Sequence, residues 1–113
     1  MEKFMETLYI IIFVTAKDKD EATRISQKLL DEKLVACTNI IGGVRSLFWW
    51  NDKVDSSEEV LLIIKSKKNL FTRITKVVKA EHSYEVPEVI ALPIIDGCRD
   101  YLKWIDESLK EAI

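Results

Sequence analysis

The stretch LYIIIFV at positions 8–14 is apolar throughout and rich in β-branched and aromatic residues. A strand that is apolar on both faces belongs in a sheet that is covered on both sides, so this run predicts a central strand. It is far shorter than the roughly 20 apolar residues that a membrane span requires, and no cleavable signal is expected after it. A membrane is therefore not a predicted partner.

A helix is predicted directly after this strand, from about Asp18 to Lys33. Asp18 and Glu21 have the spacing of a capping box, with the aspartate as the cap. The apolar residues that follow share one helical face. They are Ala22, Ile25, Leu29 and Leu30.

A hairpin is predicted next. Residues 34–50 form a long extended pattern, and Gly42-Gly43 inside it indicates a bulge or a sharp bend. Turn-forming Asn51-Asp52 separates this region from an apolar run, which predicts a strand over Glu59–Ser66.

A second helix, a fourth strand and a last helix complete the predicted elements. Asn69 is the expected cap of helix two, the fourth strand starts at Val89 and ends near Pro93 to Ile95, and the last helix runs from about Asp100 to Ala112. The order is β-α-β-β-α-β with an added helix. We therefore predict an α+β fold, a ferredoxin-like antiparallel sheet with two helices on one face.

Composition and charge limit the classes of function that this chain can have. The 113 residues suit one domain over residues 1–113, and 17 basic against 19 acidic residues give a net charge of -2. The charges are interleaved instead of forming a basic stripe, so nucleic acid is not expected as a partner. Two cysteines, Cys37 and Cys98, are too few for a secreted disulfide framework. The predicted location is the cytoplasm.

Several segments of the sequence resemble the motifs of one protein family. They are Val14-Thr15-Ala16, Glu32 through Ile40 (EKLVACTNI), Trp49-Trp50 with Lys53-Val54, Glu59 through Lys65 (EVLLIIK), and Tyr84 through Glu88 (YEVPE) with Ala91-Leu92-Pro93. Together they span nearly the whole chain, and they are similar to the CutA divalent-cation tolerance family. The resemblance implies a ferredoxin-like homotrimer in which the long bent strand of one subunit extends its neighbour's sheet. Trp49 and Trp50 would then pack at the interface, the alternative being ligand stacking.

The family name implies a response to divalent metal ions, and copper binding is attributed to some bacterial members. The ligands proposed there are a cysteine before the Thr-Ala of the first strand and a His-His pair followed by proline. Here those positions carry Val14, Glu81-His82 and Ser83, so His82 is the one nitrogen ligand that matches. We predict His82 as the candidate metal ligand and no certain cofactor beyond copper or another divalent ion. The alternative is a partly exposed histidine at a helix end.

Five further residues are candidates for a cleft between subunits: Cys37, Glu59, Lys65, Tyr84 and Glu88. Burial is the alternative for Cys37, and interface hydrogen bonding or ion pairing is the alternative for the other four. No enzyme is predicted, because a proton-transfer group of His82, Tyr84 and Glu85 would rest on an unspecific spacing. The alternative function is a scaffold or a sensor of small molecules that resembles PII signalling trimers, with Lys65, Lys67 and Lys68 meeting an anion.

Overall fold

The computed structural model describes residues 8–109. In chain order the elements are β1 (Tyr9–Ala16), α1 (Lys19–Asp31), β2 (Cys37–Trp50), β3 (Lys53–Lys67), a 3-10 turn (Lys68–Leu70), α2 (Phe71–Glu81), β4 (Val89–Pro93) and α3 (Arg99–Ser108). The strands form one antiparallel sheet in the order β2-β3-β1-β4. The predicted ferredoxin-like fold with an added helix is confirmed.

The core lies between one face of the sheet and the helices α1 and α2. Alternate residues of the two central strands are buried on this face, where they meet the apolar stripes of both helices. The fully buried members include Ile12, Val14, Leu62 and Ile64 from the strands and Ile25, Leu29, Ile74 and Val78 from the helices.

The start of α1 follows the prediction only in part. Asp18 caps the helix, since its Oδ1 accepts a hydrogen bond of 2.8 Å from the amide of Glu21. In a capping box the Glu21 carboxylate would turn back to the backbone of the cap. It is instead buried and reaches the loop after α2.

The hairpin of β2 and β3 continues well past the rest of the sheet. A bulge between Ile41 and Val44, with Gly43 at a φ of 76°, bends β2 as predicted. Beyond it, residues 44–59 pair only with one another, because the pairing of β1 with β3 ends at Val60. We call residues 44–59 the arm. Its seven paired positions per strand span about 23 Å.

The turn of the arm is formed by Asn51 and Asp52, with φ values of 52° and 62°. Positive φ at both central residues is the geometry of tight hairpin turns, and asparagine and aspartate tolerate it. The predicted hairpin is thus present. However, β3 begins at Lys53 and not at Glu59, because pairing with β2 holds even its polar residues in a strand.

Other boundaries also differ from the prediction. Asn69 does not cap α2: it lies inside the 3-10 turn, and the helix is preceded by Leu70 without a side-chain cap. The end of β4 at Pro93, by contrast, agrees with the predicted end near Pro93 to Ile95. The last helix starts one residue earlier than predicted, and its predicted end near Ala112 falls outside the described residues.

The face of the sheet opposite α1 and α2 is covered by α3 at one end. Asp106 of α3 accepts a hydrogen bond of 2.9 Å from the Tyr9 hydroxyl and pairs with the Lys67 ammonium at 2.8 Å. Ile105 is fully buried beneath the helix. On β4, by contrast, Ile90 and Leu92 stay about half exposed, so this open face is apolar and incompletely covered.

Candidate functional site

His82 directly follows α2 and has a fully buried side chain. Its Nε2 lies 2.7 Å from the carbonyl oxygen of Thr15, and its Nδ1 lies 3.0 Å from the amide nitrogen of Tyr84. The expected position at a helix end is found, but the expected partial exposure is wrong. The loop after α2 folds the imidazole inward, against the end of β1.

Glu21 is the buried charge beside His82, with 1% of the residue exposed. Its carboxylate accepts hydrogen bonds from the Ser83 amide at 2.7 Å and the Ser83 hydroxyl at 2.8 Å, and its Oε2 lies 3.1 Å from His82 Nδ1. Burial raises the pKa of Glu21, but the bonds from Ser83 and the nearby imidazole outweigh it and leave that pKa below its ordinary value. The carboxyl group is held in its charged form.

The sequence interpretation missed both Glu21 and Ser83. Glu21 lies four and eight residues before Ile25 and Leu29, so helical spacing places its carboxylate on the apolar face of α1. That spacing is the signal that could have identified it. Ser83 was noted only as a departure from the family pattern, and nothing in the sequence pairs it with Glu21, 62 residues away.

Tyr84 links this cluster to the base of the arm. Its hydroxyl donates a hydrogen bond of 2.7 Å to Glu59 Oε2, and its ring lies 4.7 Å from the His82 ring, centroid to centroid. Burial, together with the bond to the Glu59 carboxylate and its charge, raises the pKa of Tyr84 to about 12. The phenol therefore stays protonated and donates to Glu59 across the physiological range.

Within one chain, four of the five cleft candidates form two separate pairs, and Glu88 belongs to neither. Lys65 and Cys37 are paired across β3 and β2, with the Lys65 ammonium 3.8 Å from the Cys37 sulfur and hydrogen-bonded to Asn39. Tyr84, in the loop after α2, is hydrogen-bonded to Glu59, and Glu59 lies six residues before Lys65 along β3, which is roughly 20 Å. Glu88 is exposed in the loop before β4.

The residues present do not fit a copper site at His82. Val14, at the position of the family's cysteine, is apolar and fully buried. Both ring nitrogens of His82 have hydrogen-bond partners. Across residues 8–109, no group of three His, Cys, Asp or Glu side chains is placed to hold a metal ion. A single imidazole without further ligands is not a metal site.

Among the helices between residues 8 and 109, none has both the length and the apolar character needed to cross a bilayer.

Comparisons with known proteins agree with the fold and the quoted motifs. The family model of the CutA1 divalent ion tolerance protein matches residues 10–108. The rice protein CutA 1, chloroplastic, is 45% identical over 103 residues, covering 91% of this chain and 58% of the relative. The crystal structure of CutA1 from rice superposes with a TM-score of 0.91 at 43% identity, covering 95% of this chain and 98% of that one.

An archaeal protein of known structure is similar to this chain in both sequence and structure. The Archaeoglobus fulgidus protein, described as the periplasmic divalent cation tolerance protein CutA, is 39% identical with a TM-score of 0.89, and the match covers 91% of this chain and 100% of that one. The chain belongs to the CutA divalent-cation tolerance family. It spans about six tenths of the length of the two plant relatives it matches, from rice and Arabidopsis thaliana.

Proposed function

We propose that this protein contributes to the tolerance of divalent metal ions and that its working form is a homotrimer assembled through the arm. The first half rests on the family, whose relatives are named for divalent-cation tolerance. The second half rests on one observation: a two-stranded arm leaves the sheet and carries exposed apolar side chains at its end.

The side chains of the arm are the strongest support for assembly. Trp49 is 75% exposed, and Trp50 and Leu47 are each 64% exposed. Burying one large apolar side chain is worth about 1.5–3 kcal/mol, so water is a poor environment for three of them on one hairpin. A second copy that covers them would relieve this cost.

The backbone of the arm supports the same proposal. Over residues 53–59, β3 pairs with β2 on one side only, and β4 forms the far edge of the sheet. Unpaired strand edges invite pairing with another chain. An arm that pairs with the sheet of the next subunit makes a head-to-tail contact, and such contacts form a ring when the rotation between subunits closes. The resemblance to the family supports three as the number of subunits.

The proposal names a class of ions and places none of them at His82, where the residues do not fit a metal. It includes no resident cofactor. The alternative, a small-molecule sensor, is not favoured, because two of the three lysines near the end of β3 already have partners. Lys65 donates to Asn39, and Lys67 pairs with Asp106.

The proposed location is the cytoplasm, although relatives are described as chloroplastic or periplasmic. The support is the pair of free thiols, Cys37 and the exposed Cys98. Thiols of this kind persist in a reducing compartment.

Native mass spectrometry of the full chain, combined with a growth assay, tests the proposal. The wild type should appear as a trimer and should restore growth at raised copper or zinc concentrations in a bacterial strain that lacks its own CutA protein. Trp49→Lys should lower the trimer fraction and the tolerated ion concentration together, because a charge cannot be buried cheaply at an interface.

The matched control is Trp104→Lys, which places the same charge on a partly exposed tryptophan of α3. This variant should keep both the trimer and the growth. A monomeric wild type would overturn the assembly proposal. A trimer that gives no tolerance would overturn the proposed function and leave the assembly standing.

A further inference from the structure

We infer that the hydrogen-bonded cluster of Thr15, Glu21, His82, Ser83 and Tyr84 excludes metal ions and instead fixes the loop after α2 to the end of β1 and the base of the arm. We call these five residues the His82 cluster. The inference assigns a structural role to the position where the family resemblance predicts a metal ligand, and it does not depend on the number of subunits.

The Nε2 atom of His82 cannot bind a metal ion. It lies 2.7 Å from the carbonyl oxygen of Thr15, and a carbonyl oxygen only accepts hydrogen bonds. Nε2 must therefore carry the hydrogen in this contact. A nitrogen that carries a hydrogen has no lone pair for a metal, so coordination would have to use Nδ1.

The Nδ1 atom is engaged whether or not it carries a proton. Without one, it accepts the hydrogen bond from the Tyr84 amide at 3.0 Å. With one, it donates to Glu21 Oε2, 3.1 Å away. In neither state does it present a free lone pair.

The spacing of Nδ1 and Glu21 Oε2 would suit two ligands of one ion, but the surrounding donors oppose a cation there. The Ser83 amide points at Oε2 from 2.7 Å, and the Tyr84 amide points at Nδ1 from 3.0 Å. A metal ion would face the positive ends of both amides. It would also deprive both N–H groups of their hydrogen-bond acceptors.

Ser83 is the residue that completes the cluster. The family pattern has proline at this position, and proline offers neither an amide hydrogen nor a hydroxyl. Ser83 supplies both, and both bond to the Glu21 carboxylate. The departure from the pattern at Ser83 therefore supplies the donors that satisfy the buried charge.

The cluster also reaches the arm. The Tyr84 hydroxyl bonds to Glu59, the last residue of the arm before β3 joins β1. The end of β1, the start of α1, the loop after α2 and the base of the arm are thus connected by hydrogen bonds.

The single histidine of the chain permits a direct test. Long-range ¹H–¹⁵N NMR correlations of the imidazole, recorded on the full-length assembled protein, should show a slowly exchanging hydrogen on Nε2. One equivalent of zinc ion per chain should leave both nitrogen resonances unchanged. A zinc-dependent shift of either resonance, or an Nε2 without hydrogen, would overturn the inference.

Metal counting adds a second measurement. Metal-stripped wild type and His82→Gln, titrated with copper or zinc, should take up the same number of ions in native mass spectra. Glutamine can still donate to the Thr15 carbonyl, so it is the mildest replacement. A lower ion count in the variant would contradict the inference, and if the variant does not fold, the NMR experiment on the wild type decides.

Discussion

At the scale of single residues, Glu21 shows how hydrogen bonds and a neighbouring imidazole stabilise a buried charge. Its carboxylate has two donors from Ser83 and an imidazole beside it. Hydrogen bonds to charged groups contribute about 1.5–3 kcal/mol each, enough to offset much of the cost of burying the charge. The stability of this region should therefore depend on the charge state of one carboxyl group.

The fall in the free energy of unfolding at acid pH, which we call the acid limb, tests this dependence. The folded-state pKa of Glu21 lies below its ordinary value of 4.5, so the unfolded chain binds its proton more readily. The stabilisation is present above the ordinary pKa and is lost as pH falls through the folded-state value. Glu21→Gln should lower the free energy of unfolding at pH 7 by roughly 1–3 kcal/mol and flatten its fall in acid.

Asp20→Asn is the matched control for this measurement by urea denaturation. Asp20 lies in the same helical turn but is exposed, so its removal should change the free energy of unfolding little and leave the acid limb intact. Equal acid limbs for Glu21→Gln and the wild type would show that Glu21 does not carry the effect.

Residue-scale prediction from the sequence succeeded for local contacts and failed for distant ones. Asp18 was identified as a cap because its partner lies three residues away. His82 was proposed as a ligand because it matches a histidine of the family, and nothing in the sequence indicated its contacts with Thr15 and Glu21, more than 60 residues away. One sequence offers no signal for such pairings, since they depend on how the elements pack.

At the scale of elements, the arm depends on a bend in β2 that glycine makes possible. Gly43 has a φ of 76°, a conformation that costs other residues about 1–2 kcal/mol. The neighbouring Gly42 has no such requirement: an added methyl group would meet the end of the flexible Lys19 side chain, its Cε at 3.0 Å and its Nζ at 3.7 Å. The two glycines should therefore respond differently to the same substitution.

We expect Gly43→Ala to lower the free energy of unfolding by about 1–2 kcal/mol. Gly42→Ala should be neutral or slightly stabilising, because alanine restricts the unfolded chain. Urea denaturation at one fixed protein concentration measures both. Equal losses for the two variants would mean that close packing of the bulge, and not the backbone conformation of Gly43, makes glycine necessary.

The elements with a strong hydrophobic period were predicted correctly in kind and order. Polar segments caused the errors: residues 53–58 were not assigned to β3, although cross-strand pairing places them there. Asn69 was assigned as a cap because asparagine favours such positions, yet the chain enters α2 through a 3-10 turn. In both places a tertiary or backbone preference overrides the local propensity of the side chain.

At the scale of the whole molecule, the sheet has helices on one face, whereas its other face and its arm remain incompletely covered. The core beneath α1 and α2 is fully buried, while the side chains of Trp49, Trp50 and Leu47 are mostly exposed to solvent. A chain of 113 residues has a small core. If its arm completes a neighbour, folding and assembly are coupled, and part of the stability belongs to the trimer.

Coupled folding and assembly should make thermal stability depend on protein concentration. Three chains that unfold from one trimer shift the equilibrium by mass action, so tenfold dilution should lower the Tm by about 4 °C for a trimer of this size. Scanning calorimetry over a hundredfold range of concentration measures the slope. Trp49→Lys should reduce both the Tm and its dependence on concentration, because a monomer unfolds independently of its neighbours. A wild-type Tm that is constant over this range would place all the stability within one chain, and the exposed arm would then have to be tolerated in water.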